Sequence, residues 1–279
     1  MEAPPTGRTA DDSRAPPRPF PRAARPRAAL RDANPWDVGS ARILAALGFE
    51  ALATTSAGFA WVLGKLDTQV TRDELVAHVA ELAPATDLPL NVDSERCYPD
   101  DPGGVAETVR RLGEAGAAGC SIEDWNPVTG QIEDVGLATD RVAEAAVAAR
   151  AFDPPLVLTG RAENHLHGID DLDDTIARLV AYRDAGADCV YAPWLSTPEQ
   201  ISAVVDAVGV PVNVLATPAV PPLPELAQLG VRRISTGSLL AGVAYGALAA
   251  ASRALQSGST STYAAGRLSE DDKQAAFGG

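Results

Sequence analysis

Glu114-Ala115-Gly116-Ala117-Ala118-Gly119-Cys120-Ser121-Ile122-Glu123-Asp124 carries a helix end, a tight turn and a whole strand in sequence. Gly116 is the stop signal. A glycine just past a helix accepts the left-handed conformation that ends it. Gly119 to Ile122 is then a short run of small and apolar residues, closed by the acids Glu123 and Asp124. A near copy of the turn, Asp184-Ala185-Gly186-Ala187, lies 70 residues on and opens the run Cys189-Val190-Tyr191. Gly48, Gly209 and Gly230 sit in the same relation to the apolar runs that follow them.

Outward from this unit the pattern repeats. Strands are predicted at 28–33, 49–55, 88–93, 118–123, 155–161, 188–192, 210–215 and 231–236. Helices are predicted at 38–47, 71–84, 103–115, 136–151, 171–185, 197–208, 222–229 and 238–255. Their apolar residues recur at helical spacing, as in Leu75, Val79 and Leu82, or Ile201, Val205 and Val208. Thr71 with Glu74 and Thr197 with Gln200 read as capping boxes, the second with Pro198 at the first helical position. Continuous apolar strands alternating with amphipathic helices predict a parallel sheet covered on both faces. Eight units of ~30 residues predict an α/β fold closed as a (β/α)8 TIM barrel. The rival is an open Rossmann-like sheet. It wants a glycine-rich turn after the first strand, where the chain has Asn34-Pro35-Trp36-Asp37 instead.

Composition bounds the rest. The chain has 279 residues, and 46% are apolar but only 5% aromatic. Its formal charge of −14 argues against nucleic acid and anionic membranes as partners, since both need a basic face. No apolar run reaches the ~18 residues of a membrane span, and residues 1–29 lack the apolar core of a signal peptide. Three cysteines, Cys97, Cys120 and Cys189, form no disulfide framework, which points to a reducing, cytoplasmic location. The Pro/Arg-rich segment 1–27 is expected to be disordered, 28–256 to form the catalytic barrel, and 257–279 a tail or short helix.

Barrel chemistry sits where strands end and loops begin. Asp93, Glu95, Glu123 and Asp124 fall at the ends of the third and fourth strands. Like charges at one mouth need a positive partner. The candidates are Arg161, at the end of the fifth strand, and a divalent cation. Oxygen-only ligands favour Mg²⁺, with Mn²⁺ as the alternative. All four tryptophans, Trp36, Trp61, Trp125 and Trp194, follow strands, which suggests either an aromatic mouth or wedges between loops. His78 is expected on a solvated helix face. Ser235-Thr236-Gly237-Ser238 before a helix reads as an anion site or an ordinary cap.

From Asn34 to about Leu255 the chain resembles the isocitrate lyase/phosphoenolpyruvate mutase superfamily, nearer its mutase-like branch than true isocitrate lyases. The resemblance rests on NPWDVGSARILAALGFEALATTSAGFAW, NVDSE, GCSIED, LTGRAENHLHG, PVNVLA and GVRRISTGS in this order. It implies an oligomeric barrel, a dimer or tetramer, with a C-terminal helix exchanged between neighbours. It implies an enzyme holding an enolate of a keto acid on Mg²⁺, a lyase or decarboxylase acting on a small keto or hydroxy acid. Asp93, Glu95 and Glu123 become the metal residues and Asp67 a loop partner of the metal waters. Ser56, Ala57, Gly58, Arg161 and Asn213 become the substrate contacts, with Trp36 near them. The superfamily's Lys-x-Cys-Gly-His loop is replaced by Asp124-Trp125-Asn126-Pro127-Val128-Thr129-Gly130, so the usual general acid is missing. His167 is a candidate replacement. Arg96 follows Glu95 where a glycine is usual, and could either neutralise the acids or turn outward. The alternatives are a P–C phosphonomutase or phosphonopyruvate hydrolase, and a barrel that binds keto acids without catalysis.

Overall fold

The computed structural model describes residues 29–263 and 266–278, together with Pro19. The tail expected to be disordered, 1–27, therefore lies outside the described residues apart from Pro19. Eight parallel strands close a barrel: β1 (Leu30–Ala33), β2 (Ala51–Ala53), β3 (Leu90–Asp93), β4 (Gly119–Glu123), β7 (Val157–Arg161), β8 (Cys189–Tyr191), β9 (Val212–Leu215) and β10 (Arg233–Ser235). β5 (Trp125–Asn126) and β6 (Gln131–Ile132) form a small antiparallel hairpin in the loop after β4. The predicted (β/α)8 barrel is thus the observed fold, each barrel strand lying within its predicted run.

The helices are α1 (Val38–Ala46), α2 (Ser56–Val62), α3 (Arg72–Leu82), α4 (Gly104–Glu114), α5 (Val135–Arg150), α6 (Leu172–Asp184), α7 (Pro198–Val208), α8 (Leu223–Gln228), α9 (Leu239–Gln256) and α10 (Glu270–Phe277). Both predicted capping boxes are present. Gly116 has φ 106° and Gly186 φ 112°, and a Cβ on Gly116 would stand 2.8 Å from that of Ala83. Conformation and crowding both demand glycine at that turn. Two elements are additions to the sequence reading: α2, expected as loop, and the β5–β6 hairpin. α10 packs against α1 of the same chain.

Most of the apolar core lies between helices and sheet; Leu75, Val79, Leu82 and Ile201 are all in it. His78 corrects the expectation of a solvated face. It is buried against Phe59, with ring centroids 3.7 Å apart, and burial lowers its pKa to about 4. A second apolar cluster, Leu30, Ala51, Ala118 and Val157, joins the N-terminal ends of four strands and plugs that end of the barrel. Above this plug the interior is polar. Arg233 on β10 donates to Asp32 on neighbouring β1 (2.5 Å), and across the barrel to Thr159 on β7 (2.9 Å). Asp32 is fully buried, and burial raises its carboxyl pKa while Arg233 opposes the rise. Small residues above the plug leave an open space toward the C-terminal mouth.

Candidate active site

That space is a cavity of about 250 Å³, lined at successive strand ends by Asn34, Thr54, Asp93, Arg161, Tyr191, Asn213 and Ser235. Parallel pairing puts Glu123 beside Arg161 and Arg161 beside Tyr191. Arg161 is the hub. Its Nη1 lies 3.1 Å from Asp93 Oδ1 and 3.2 Å from Glu123 Oε2, and its Nε bonds Glu163. Burial lowers the pKa of this guanidinium, but Glu163, Glu123 and Asp93 outweigh burial and raise it well above its ordinary value. Burial raises the Glu123 carboxyl pKa against the pull of Arg161, and raises that of Glu163 to about 7.

A second group of acids lies on the other side of Asp93. Asp93 Oδ2 accepts the Ser56 backbone N–H at 3.1 Å, and Asp67 lines the same cavity. Burial and the neighbouring Asp93 raise Asp67. Glu95 is pushed up to about 8 by burial, then by Asp93 and Asp67. It sits at φ 48°, with Cys97 and Tyr98 also left-handed, so the loop after β3 turns sharply here. Three mutually repelling carboxyls with oxygen donors only fit a hard divalent cation. Among the described residues no three His, Cys, Asp or Glu side chains enclose a metal by themselves.

Other expected residues fall elsewhere. Ala57 lines the cavity beside Ser56, at the start of α2. Gly58 serves packing: a Cβ there would stand 2.5 Å from Thr55 Cγ2 and 3.2 Å from Trp36 Cβ. Trp36 therefore wedges against α2 rather than lining the cavity. Trp61 meets Tyr245 edge-on, and Trp125 stacks on His167 with centroids 3.4 Å apart. Of the four tryptophans only Trp194 lines the cavity. His167 lies outside the lining, its Nε2 3.8 Å from Glu163, and burial lowers its pKa. Arg96 turns away from the acids to Asp100 (2.9 Å) and Glu133 (2.8 Å).

Three contributors escaped sequence reasoning. Glu163 is two residues beyond Arg161, close enough for that spacing to have flagged it. Tyr191 ends the sixth barrel strand, and its ring lies under the Arg161 guanidinium at 5.2 Å. Asn34 locks the mouth: Oδ1 accepts from the Thr236 and Gly237 N–H groups at 2.7 and 2.9 Å, and Nδ2 donates to Thr54 O. Those amides, candidates for an anion site, are thus engaged within the protein.

Known proteins resemble this chain in sequence and fold. The sequence profile of the family described as phosphoenolpyruvate phosphomutase matches residues 22–256. An oxaloacetate decarboxylase from Paraburkholderia xenovorans is 34% identical over 255 residues, covering 87% of this chain and 83% of its own. A crystal structure from Burkholderia cenocepacia J2315, described as a lyase/mutase, is 47% identical, with a TM-score of 0.85 over 91% of this chain and 92% of that one. The structure of 2,3-dimethylmalate lyase, a PEP mutase/isocitrate lyase superfamily member, is 26% identical, with a TM-score of 0.74 over 83% and 84%. The chain belongs to the phosphoenolpyruvate phosphomutase family, among the lyases and mutases of the PEP mutase/isocitrate lyase superfamily.

Proposed function

We propose that this enzyme is a metal-dependent decarboxylase, cleaving the C–C bond β to the keto group of a short 2-keto diacid of the oxaloacetate class. One observation carries the choice among lyase reactions. The hairpin after β4 brings no Cys, Lys or His to the cavity, and His167 does not line it, so the loop acid that protonates the leaving enolate in the superfamily's lyases has no counterpart there. Loss of carbon dioxide begins with a sink for the electron pair, which a cation and Arg161 would supply, and carbon protonation follows as a separate step. The oxaloacetate decarboxylase among the relatives supports the same choice.

Asp93, with Asp67, Glu95 and Glu123 around it, would hold Mg²⁺, or Mn²⁺ in its place, directly or through water. When bound, such a cation supplies Lewis-acid stabilisation of negative charge on the keto oxygen. Arg161 offers a fixed guanidinium to a carboxylate in the cavity, already oriented by Glu163. Ser56 and Ala57, at the start of α2, would position the keto acid against Asp93, with Asn213 on the opposite wall. Asn34 holds the mouth in shape.

The test is oxaloacetate turnover with Mg²⁺, followed by pyruvate formation. Phosphorus NMR with phosphonopyruvate decides the P–C alternative: a new phosphorus species without decarboxylation replaces our reading. We assign the protein to the cytoplasm, where its three buried free thiols are at home. We also read it as a homo-oligomer, because α9 exposes Val243, Leu248 and Leu255. Light scattering measures that directly. No helix among the described residues is long and apolar enough to cross a membrane.

A further inference from the structure

Decarboxylation leaves an enolate that needs a proton on carbon, and the superfamily's loop acid is missing here. We propose that the phenol of Tyr191 is the group that delivers this proton, from the β8 wall of the cavity. The inference rests on the decarboxylase reading above. Two geometric facts support it. Tyr191 lines the cavity, whereas His167 and the β5–β6 hairpin do not. The Arg161 guanidinium stands over its ring, 5.2 Å from the centroid, so a phenolate formed there meets a fixed positive charge.

Asn213 pairs with Tyr191 across β8 and β9, and its Nδ2 donates to Ser235 Oγ at 2.8 Å, so these two polar side chains hold each other at the cavity wall near the phenol.

The chemistry balances. The bond between the β-carbon and the departing carboxylate breaks, its electron pair enters the enolate, and carbon dioxide leaves. The Tyr191 O–H bond then breaks and its proton forms the new C–H bond at the β-carbon. The phenolate takes a proton from water as pyruvate departs.

The experiment uses the full chain with Mg²⁺. Oxaloacetate stereospecifically tritiated at the β-carbon is decarboxylated in D₂O, and the chirality of the pyruvate methyl group is read. Exchange of pyruvate methyl protons with D₂O is followed in parallel by NMR. The wild type is expected to protonate one face and to exchange pyruvate protons. Tyr191→Phe is expected to lose about 10²-fold in exchange, as for a missing general acid, and to give a racemic methyl group while carbon dioxide release falls far less. Stereospecific protonation or undiminished exchange by Tyr191→Phe overturns the assignment, as does a wild type that protonates both faces equally. A wild type with Tyr191-dependent exchange that leaves oxaloacetate intact overturns the decarboxylase reading and keeps the assignment.

Discussion

Arg96 Nη2 stands 2.8 Å from Glu133 Oε1, and Arg141 bonds the other oxygen of the same buried carboxylate. One acid thus ties the loop after β3, the hairpin after β4 and helix α5 together. It also draws the Arg96 guanidinium away from Asp93, leaving the cation side of the cavity acidic. Glu133→Gln leaves two arginines buried without their shared partner. The predicted cost is about 3 kcal/mol, measured by chemical denaturation. Hydrogen exchange at the Glu133 amide, which donates to Asp124 O, is expected to quicken with it.

Arg233 and Asp32 form a buried pair inside the barrel, below the cavity. Removing one partner is predicted to cost more than removing both. Arg233→Met should lower stability by about 3–5 kcal/mol, because Asp32 then lies uncompensated. The double variant Arg233→Met with Asp32→Asn should regain much of that loss. A double variant no more stable than Arg233→Met contradicts this account of the interior.

The acids around Asp93 make stability depend on pH. Glu95 has its pKa raised from the ordinary 4.5 to about 8 in the folded chain. Between those values the folded state binds more protons than the unfolded one, so stability falls as pH rises. Glu163, raised to about 7, adds to the lower part of the window. The buried His78 acts oppositely, but only below its unfolded value of 6.5. Thermal melting of metal-free protein should therefore move to lower temperature between pH 7 and pH 8. Glu95→Gln should flatten most of that slope.

Arg161 meets Asp93, Glu123 and Glu163 together through its planar fork. Lysine keeps the charge but not the fork. Arg161→Lys is expected to reduce kcat/KM by about 10²-fold or more, the scale of losing one preorganised donor. Steady-state kinetics on oxaloacetate measures it.

The barrel was legible because its strands are buried on both faces and its helices end on glycine. Both signals are local in sequence. Helix α2 escaped because it is only seven residues long and opens with Ser56 and Gly58, both weak helix formers, capped by Thr55. The β5–β6 hairpin escaped because two-residue strands around Pro127 and Gly130 carry no period. Asp93, Glu123 and Arg161 could be placed at the mouth because a strand end fixes position. Trp36 and His167 could not, because a loop side chain's direction depends on neighbours distant in sequence. Asn213 meets Tyr191 and Ser235 only through the register of β8, β9 and β10.

The central claim is that the carboxylates around Asp93 hold a divalent cation which stabilises the enolate. Its most direct test is oxaloacetate decarboxylation by metal-depleted protein, before and after Mg²⁺, corrected for the reaction of free Mg²⁺ alone. The account predicts no protein-dependent turnover without metal, recovery on adding Mg²⁺, and no recovery in Asp93→Ala. Full turnover in the presence of EDTA, or an Asp93→Ala variant as active as the wild type, would contradict it.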